Sequence, residues 1–327
     1  MASFRQRLGT WQARVRRKGF PDEVKSFTTK AEAVAWAREI EAAMHKGIHQ
    51  DLSAAHEWLL GDLLKRYMTE VSPTKRSAKR ERESITFMLR QRMASYSMAK
   101  LTPAVIAAYR DDRLKTISAG TIIRELSILS SAISHARREW GLPTSNPCAL
   151  VRKPQSPQGR YRLLTEDERL RLLDELRPVG RRSPWMHPLV ELALETAMRR
   201  GELLALEWRH VDLKAQTAFL PMTKNGSTRT VPLSKAAVRI LEGLPRVASG
   251  RVFPLSYMVV NNCFVNARKR AGINDLHFHD LRHTATTKLA EKLPNVIELA
   301  SVTGHQTIQM LKRYYHPSAE AMARKLG

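Results

Sequence analysis

The chain has 327 residues, more than one domain of about 150 residues usually takes, and its 55 Lys and Arg against 31 Asp and Glu give a formal charge of +24. A hydrophobic content of 43% suffices for ordinary buried cores and excludes a wholly disordered basic tail. No run of about 18 apolar residues is present to span a bilayer, and the basic amino terminus has no apolar signal core, so a cytoplasmic location and no membrane partner are expected.

Two alternating stretches, Thr10 to Arg17 and Glu23 to Phe27, flank Lys18-Gly19-Phe20-Pro21-Asp22, whose Gly and Pro sit at turn-like positions; a β-hairpin is expected. Thr29 and Glu32 form a capping-box pattern before a helical run from Ala31 to His45, ended near Gly47. Six basic side chains precede the first acid, Asp22, so residues 1–50 read either as a module whose sheet lies against DNA or as a solvated basic lead-in.

The pattern over 53–150 is helical throughout, with segments near His56 to Val71, Ala78 to Met93, Pro103 to Lys115 and Thr121 to Trp140. In the last, Ile122, Leu126, Leu129, Ile133, Ala136 and Trp140 recur at spacings of four and three and therefore share one buried face. Lys75, Arg76, Lys79, Arg80 and Arg82 cluster at a helix start, where side chains and helix amides suit phosphate groups; a solvated face is the plainer reading. Residues 151–160 read as an extended basic linker, with Arg152, Lys153 and Arg160 as candidate phosphate contacts. A second capping box, Thr165 to Glu168, opens a domain over 161–327. Its helices are expected at Glu166 to Leu176, Met186 to Leu206, Lys235 to Gly243, Tyr257 to Ala271, Asp280 to Lys292 and Val296 to Val302. Thr217 to Leu220 and Arg229 to Leu233 form a hairpin across Lys224-Asn225-Gly226-Ser227. The fold class is therefore mainly α with small β elements, the last domain mostly helical with a small antiparallel sheet. Cys148 and Cys263 are too few for a disulfide framework and lack zinc-site spacing, so both should be buried, reduced and inert.

Four features of the last domain stand together. Thr196-Ala197-Met198-Arg199-Arg200-Gly201-Glu202 carries an Arg one helical turn from an acid, and His279-Asp280-Leu281-Arg282-His283 sets a His and an Arg three apart at a helix start. Gly304-His305 is followed nine positions later by Tyr314, and Lys224 lies at the hairpin tip. Taken singly, these have ordinary explanations: Arg199-Arg200 as a solvated helix end, with Arg200 solvated in either case, and Tyr314 and Tyr315 as packing aromatics. His279 and His283 are four apart, as in some zinc sites, but the Glu that usually follows the first His is missing and no third ligand is evident, so no metal is expected.

Together these motifs resemble the tyrosine recombinase family, or phage integrases, in residue type, order and spacing, and around Leu150 to Leu164 and Glu195 to Leu206 the chain is also similar to shufflon-type DNA invertases. The resemblance implies an arm-type DNA-binding module at the amino terminus, a SAM-like core-site-binding domain over 53–150 and a catalytic domain over 161–327. It implies that Tyr314 attacks a DNA phosphodiester to form a 3′-phosphotyrosyl bond while Arg199 and Arg282 neutralise the transition state. His279 would be the acid/base partner of the tyrosine, His305 would bond a non-bridging oxygen, and Lys224 would protonate the leaving 5′-oxygen. Glu202 and Asp280 would orient an Arg or a His, and no cofactor is needed. Two positions depart from the family pattern, Ala197 where Gly is common and Leu311 where Thr is common. The implied partner is duplex DNA with specific sites, clamped between the helical and catalytic domains by a homotetramer on two sites, with accessory DNA-bending proteins as further candidates. Ser318 to Leu326 would form a short helix docking onto a neighbouring protomer. The alternatives are a shufflon-type invertase, a related topoisomerase, a basic peripheral membrane protein and a non-catalytic DNA-binding regulator.

Overall fold

The computed structural model describes residues 1–46, 53–157, 159–221, 228–314 and 323. The chain divides into two compact units, Met1–Gln158 and Gly159–Gly327.

The first unit begins with three antiparallel strands, β1 (Ala2–Arg7), β2 (Thr10–Val15) and β3 (Glu23–Phe27), in the order β1-β2-β3. The expected hairpin is thus the second half of a three-stranded sheet. The extra strand is joined through Leu8 and Gly9, both at positive φ, a two-residue turn whose twist suits a hairpin although it lacks an Asn-Gly signature. Helix α1 (Lys30–His45), closed at its start by the reciprocal Thr29–Glu32 box, lays Ala37 and Met44 on Val15. Its expected end at Gly47 lies outside the described residues.

The following elements are α2 (Ser53–Glu57), α3 (Leu60–Glu70), α4 (Ala78–Met88), α5 (Pro103–Leu114) and α6 (Ala119–Glu139). They enclose one core that includes Leu63, Leu64, Tyr67, Ile85, Met88, Ile106, Ile122, Leu126, Leu129 and Ile133. The segment expected as one helix from His56 is broken at Trp58 and Leu59, whose backbone pairs with the strand-like turn around Ser97. Likewise α4 stops at Met88, and Arg92–Ser95 is a short 3-10 turn. Thr102 caps α5, its side-chain oxygen accepting from the Val105 amide.

The second unit runs through α7 (Glu166–Glu175), α8 (Met186–Thr196), α9 (Arg200–Ala205), β4 (Val211–Asp212), β5 (Thr217–Leu220), β6 (Arg229–Pro232), α10 (Lys235–Glu242), α11 (Tyr257–Arg270), α12 (Phe278–Lys292), α13 (Val296–Thr303) and α14 (Ile308–Leu311). Apolar α8 packs against α10 and α12 and supplies Leu189, Val190, Leu192 and Ala193 to the core. Strands β4, β5 and β6 form an antiparallel sheet in which Leu220 pairs with Arg229. The hairpin tip with Lys224, Tyr315, and Ser318 to Leu326 apart from Ala323 lie outside the described residues.

The single helix expected from Met186 to Leu206 is two helices. Ala197 has φ 52°, which ends α8 in the left-handed region. A β carbon disfavours that conformation, which is a physical reason for glycine to be common at this position. Cys148 is buried, and desolvation pushes its thiol up to about 12, whereas Cys263 is only partly buried. Among the described residues, no helix is long and apolar enough to cross a membrane.

Candidate active site

The break at Ala197 makes Arg199 the capping residue just before α9. Arg199 donates through Nη1 to Glu202 Oε1 at 2.8 Å and through Nη2 to the Gly304 carbonyl at 3.0 Å. Glu202, 6% exposed, also accepts from the Arg199 amide at 2.8 Å and from Arg229 Nη2 at 2.7 Å. Burial alone would raise the Glu202 carboxyl, but Arg229 and Arg199 overcome it and hold the group below its ordinary value.

Arg282, in the first turns of α12, is 4% exposed and donates to the carbonyls of Ala197 and, at 2.7 Å, Thr303. Burial, reinforced by repulsion from Arg199 and Arg229, pulls its guanidinium down to about 9. Arg199 and Arg229 thus share one carboxylate, and Arg282 adds a third guanidinium with no carboxylate bonded to it. The site carries surplus positive charge that an anion would relieve.

His305 follows Gly304, which ends α13 at φ 70°. The Thr303 hydroxyl donates to the Leu299 carbonyl at 2.6 Å, so toward His305 Nδ1, 2.7 Å away, it acts as acceptor. That assigns the His305 proton to Nδ1 and leaves Nε2 facing Arg282 Nη2 at 3.5 Å. Burial, followed by the charges of Arg282, Arg199 and Arg229, lowers His305 to about 3, so the ring is neutral at physiological pH.

Tyr314 ends the 3-10 turn Lys312–Tyr314, and its ring packs in a cluster with Ala290, Leu299 and Leu311. Leu311 is fully buried there, which gives the departure from the family's usual Thr a packing role. The Tyr314 hydroxyl lies 2.5 Å from His283 Nδ1, the two rings are stacked with centroids 5.9 Å apart, and the His305 ring is 6.0 Å away. His279, expected as the tyrosine's partner, is exposed one turn earlier on α12, edge-on to His283 at 5.1 Å. Arg199, Arg282, His305 and Tyr314 are therefore brought together, with His279 adjoining through His283.

Sequence reasoning misses two members. Arg229 carries no motif signal beyond its place at the start of a strand. His283 is visible only as half of a histidine pair set aside as a zinc site. Among the described residues no group of three His, Cys, Asp or Glu is placed to hold a metal ion. Arg200, expected to be solvated, is partly buried instead, stacked over the Tyr257 ring at 3.6 Å and bonded to Asn261 at 3.2 Å.

Several proposed DNA contacts have partners within the chain. Asp280, 1% exposed, caps α12 by accepting from the His277 amide at 2.7 Å and receives Arg160 Nε at 3.0 Å, while Arg160 also grips Asp275. Asp280 thus orients Arg160 rather than an arginine of the site. Lys75 is held by Glu81 at 2.8 Å and by the Tyr67 hydroxyl. Arg76, Lys79, Arg80, Arg152 and Lys153 are exposed.

The sequence model described as the phage integrase family matches residues 162–321. A shufflon-specific DNA recombinase of Escherichia coli is 41% identical over 276 residues, covering 82% of this chain and 71% of that protein. A putative integrase/recombinase of Haemophilus influenzae is 34% identical, covering 97% of this chain and 88% of its own length. In three dimensions the chain is similar to a lambda integrase tetramer bound to a Holliday junction, with TM-score 0.65, 22% identity, and 93% and 95% of the two chains covered.

Proposed function

The chain belongs to the phage integrase family, the tyrosine recombinases, and is a site-specific DNA recombinase; from that premise we propose that Tyr314 is the nucleophile that cleaves each strand through a 3′-phosphotyrosyl intermediate. The observation that carries this reading is the cationic pocket beside the Tyr314 hydroxyl, where Arg199, Arg229 and Arg282 are balanced by Glu202 alone among their described hydrogen-bonding acids. A phosphodiester supplies the missing negative charge, and the charge gathering on its non-bridging oxygens in the transition state meets oriented guanidinium donors. Arg199 and Arg282 bind those oxygens, while Arg229 shares Glu202 with Arg199 and so fixes it. An arriving phosphate also offsets the repulsion that keeps His305 neutral, so that His305 gains a proton on Nε2 and donates it to a non-bridging oxygen. Lys224 protonates the departing 5′-oxygen, and His279 serves as an acid/base partner at the exposed side of the pocket.

Exchange between two duplexes requires four strand cuts, so the working assembly is a homotetramer on two sites, with DNA-bending proteins as candidate helpers. Residues 1–50 act as an arm-site module, 53–150 as the core-site domain, 151–160 as a linker and 161–327 as the catalytic domain, in the cytoplasm. Exposed Arg76, Lys79, Arg80, Arg152 and Lys153 contact phosphates. The outcome is integration and excision of a prophage or genomic island. Inversion is the second reading, favoured by the 41% identity to a shufflon recombinase.

The test incubates the chain with sheared DNA from its own genome, denatures the mixture and sequences the covalently trapped fragments. Adducts that Tyr314→Phe abolishes are expected. Adducts that persist in that variant, or none with the wild type, would overturn the reading. Trapped sites at the ends of one element indicate integration, whereas clustered inverted repeats indicate inversion.

A further inference from the structure

Strand cleavage requires an acceptor for the phenolic proton of Tyr314. The geometry points to His283 as the catalytic residue that holds this hydroxyl and takes its proton, an assignment that rests on Tyr314 being the nucleophile. His283 Nδ1 is 2.5 Å from the hydroxyl oxygen and the two rings are stacked, so the contact is both close and oriented. The tyrosine ring packs in a cluster with Leu299 and Leu311, and His283 is held on α12 one residue after Arg282. One helix therefore supplies a phosphate-binding arginine and the proton acceptor, set by a single peptide bond. His279 lies beyond, edge-on to His283 at 5.1 Å, so its influence on Tyr314 passes through the His283 ring.

In the cleavage step the tyrosine oxygen forms its bond to phosphorus as the bond from phosphorus to the 5′-oxygen breaks. The phenolic proton passes to His283 Nδ1, and the 5′-oxygen leaves as a hydroxyl with a proton from the general acid. In rejoining, the 5′-hydroxyl attacks phosphorus and returns its proton to the general acid, while the departing tyrosine oxygen takes back the proton from His283. Imidazole suits both directions because its ordinary titration lies near neutrality. Among the described residues, the groups around His283 include His279 on its own helix, Tyr314 on the terminal turn, and Arg282 and His305 on the phosphate side.

The experiment uses the full chain and a suicide duplex carrying the trapped site, made with either oxygen or sulfur at the bridging 5′ position. A sulfur leaving group needs no proton, so it rescues loss of the general acid but not loss of the base. His283→Asn keeps a polar group near the Nδ1 position without its basicity. Its single-turnover cleavage is expected to fall by about 10²-fold on both substrates, with the acidic limb of the pH–rate profile lost and DNA affinity within about twofold of wild type. Lys224→Ala should recover on the sulfur substrate. His283→Ala should regain cleavage with added imidazole, which a merely structural role would not produce.

Cleavage within about threefold of wild type, or rescue of His283→Asn by sulfur, would overturn the assignment. A second measurement does not depend on that variant folding. In the histidine-labelled chain, the nitrogen resonance of His283 Nδ1 should shift when Tyr314→Phe removes the hydroxyl, and an unchanged resonance would also overturn it. Adducts abolished by Tyr314→Phe but unaffected by His283→Asn would sink this inference alone, whereas adducts formed by Tyr314→Phe would sink the parent reading.

Discussion

Glu202 is the position where one substitution separates the architecture of the site from its chemistry. Its carboxylate, 6% exposed, accepts from the Arg199 amide and side chain at 2.8 Å and from Arg229 at 2.7 Å. Glu202→Gln preserves volume but removes the charge, leaving the largely buried Arg229 guanidinium without a counterion. Removing one partner of such a pair costs about 3–5 kcal/mol. At about 2–4 °C per kcal/mol for a unit of this size, the catalytic unit should melt roughly 6–20 °C lower at pH 7. The deficit depends on pH with a definite sign. Because the folded Glu202 is held below its ordinary value of 4.5, the wild type keeps this stability above that pH and loses it as the pH falls through the folded value. The gap between wild type and Glu202→Gln is therefore full at pH 7 and shrinks below about 4.5. Thermal unfolding followed by circular dichroism at several pH values checks both statements. A melting difference under about 2 °C at neutral pH would show that the arginines do not depend on this carboxylate, and the argument about surplus charge would fail with it.

Gly304→Ala should be poorly tolerated, because a β carbon there enters a left-handed backbone and collides with the Arg229 guanidinium; a variant that melts and cleaves like wild type would contradict this. His305 sits at about 3 in the folded chain against an ordinary 6.5, so the unfolded state binds the proton first and stability declines as the pH drops from about 6.5 toward 3. Denaturant titrations across that range should be flatter for His305→Asn, and parallel curves would refute the shift. Arg160→Ala should lower the melting temperature while leaving the salt dependence of DNA binding unchanged, since Asp275 and Asp280 already hold that side chain. Arg152→Ala and Lys153→Ala should each reduce the slope of log affinity against log salt by about 1 without lowering the melting temperature, and the reverse pattern would restore Arg160 as a phosphate contact.

What can be read in the sequence is what is local. Capping boxes at Thr29 and Thr165 and the periodic face of α6 depend on neighbours within a few residues, and both boxes and that face are formed. The helix from Met186 to Leu206 is misread because nothing local marks Ala197 as left-handed; the requirement comes from Arg282, 85 positions away, which uses the carbonyl exposed there. Leu8 and Gly9 hide a strand for a related reason, since a turn without Asn-Gly carries little signal until the strand it returns has something to pair with. At the site, Arg199, Arg282, His305 and Tyr314 are found through the spacing of a whole pattern. Arg229 is not, because its role lies in a contact with Glu202 across 27 positions. Arg160 is misjudged for the opposite reason: its basic, proline-rich surroundings suggest solvent, while its acids, Asp275 and Asp280, lie more than a hundred positions on.

The geometry of the pocket follows from where its helices stop. Arg282 donates to the carbonyls of Ala197 and Thr303, and these carbonyls are free because α8 ends at Ala197 with φ 52° and α13 is reversed at Gly304 with φ 70°. A regular helix would have spent those oxygens on its own backbone ladder. The same two reversals send Arg199 into the start of α9 and release the Gly304 carbonyl to receive Arg199 Nη2 at 3.0 Å. Both guanidinium groups are thus positioned through fixed backbone oxygens, which cost no reorganisation when charge develops on a bound phosphate. The two positions should therefore differ in their tolerance of Ala. The Ala197 side chain is fully buried, whereas a methyl at 304 would collide with Arg229 and so disturb the anchor of Glu202.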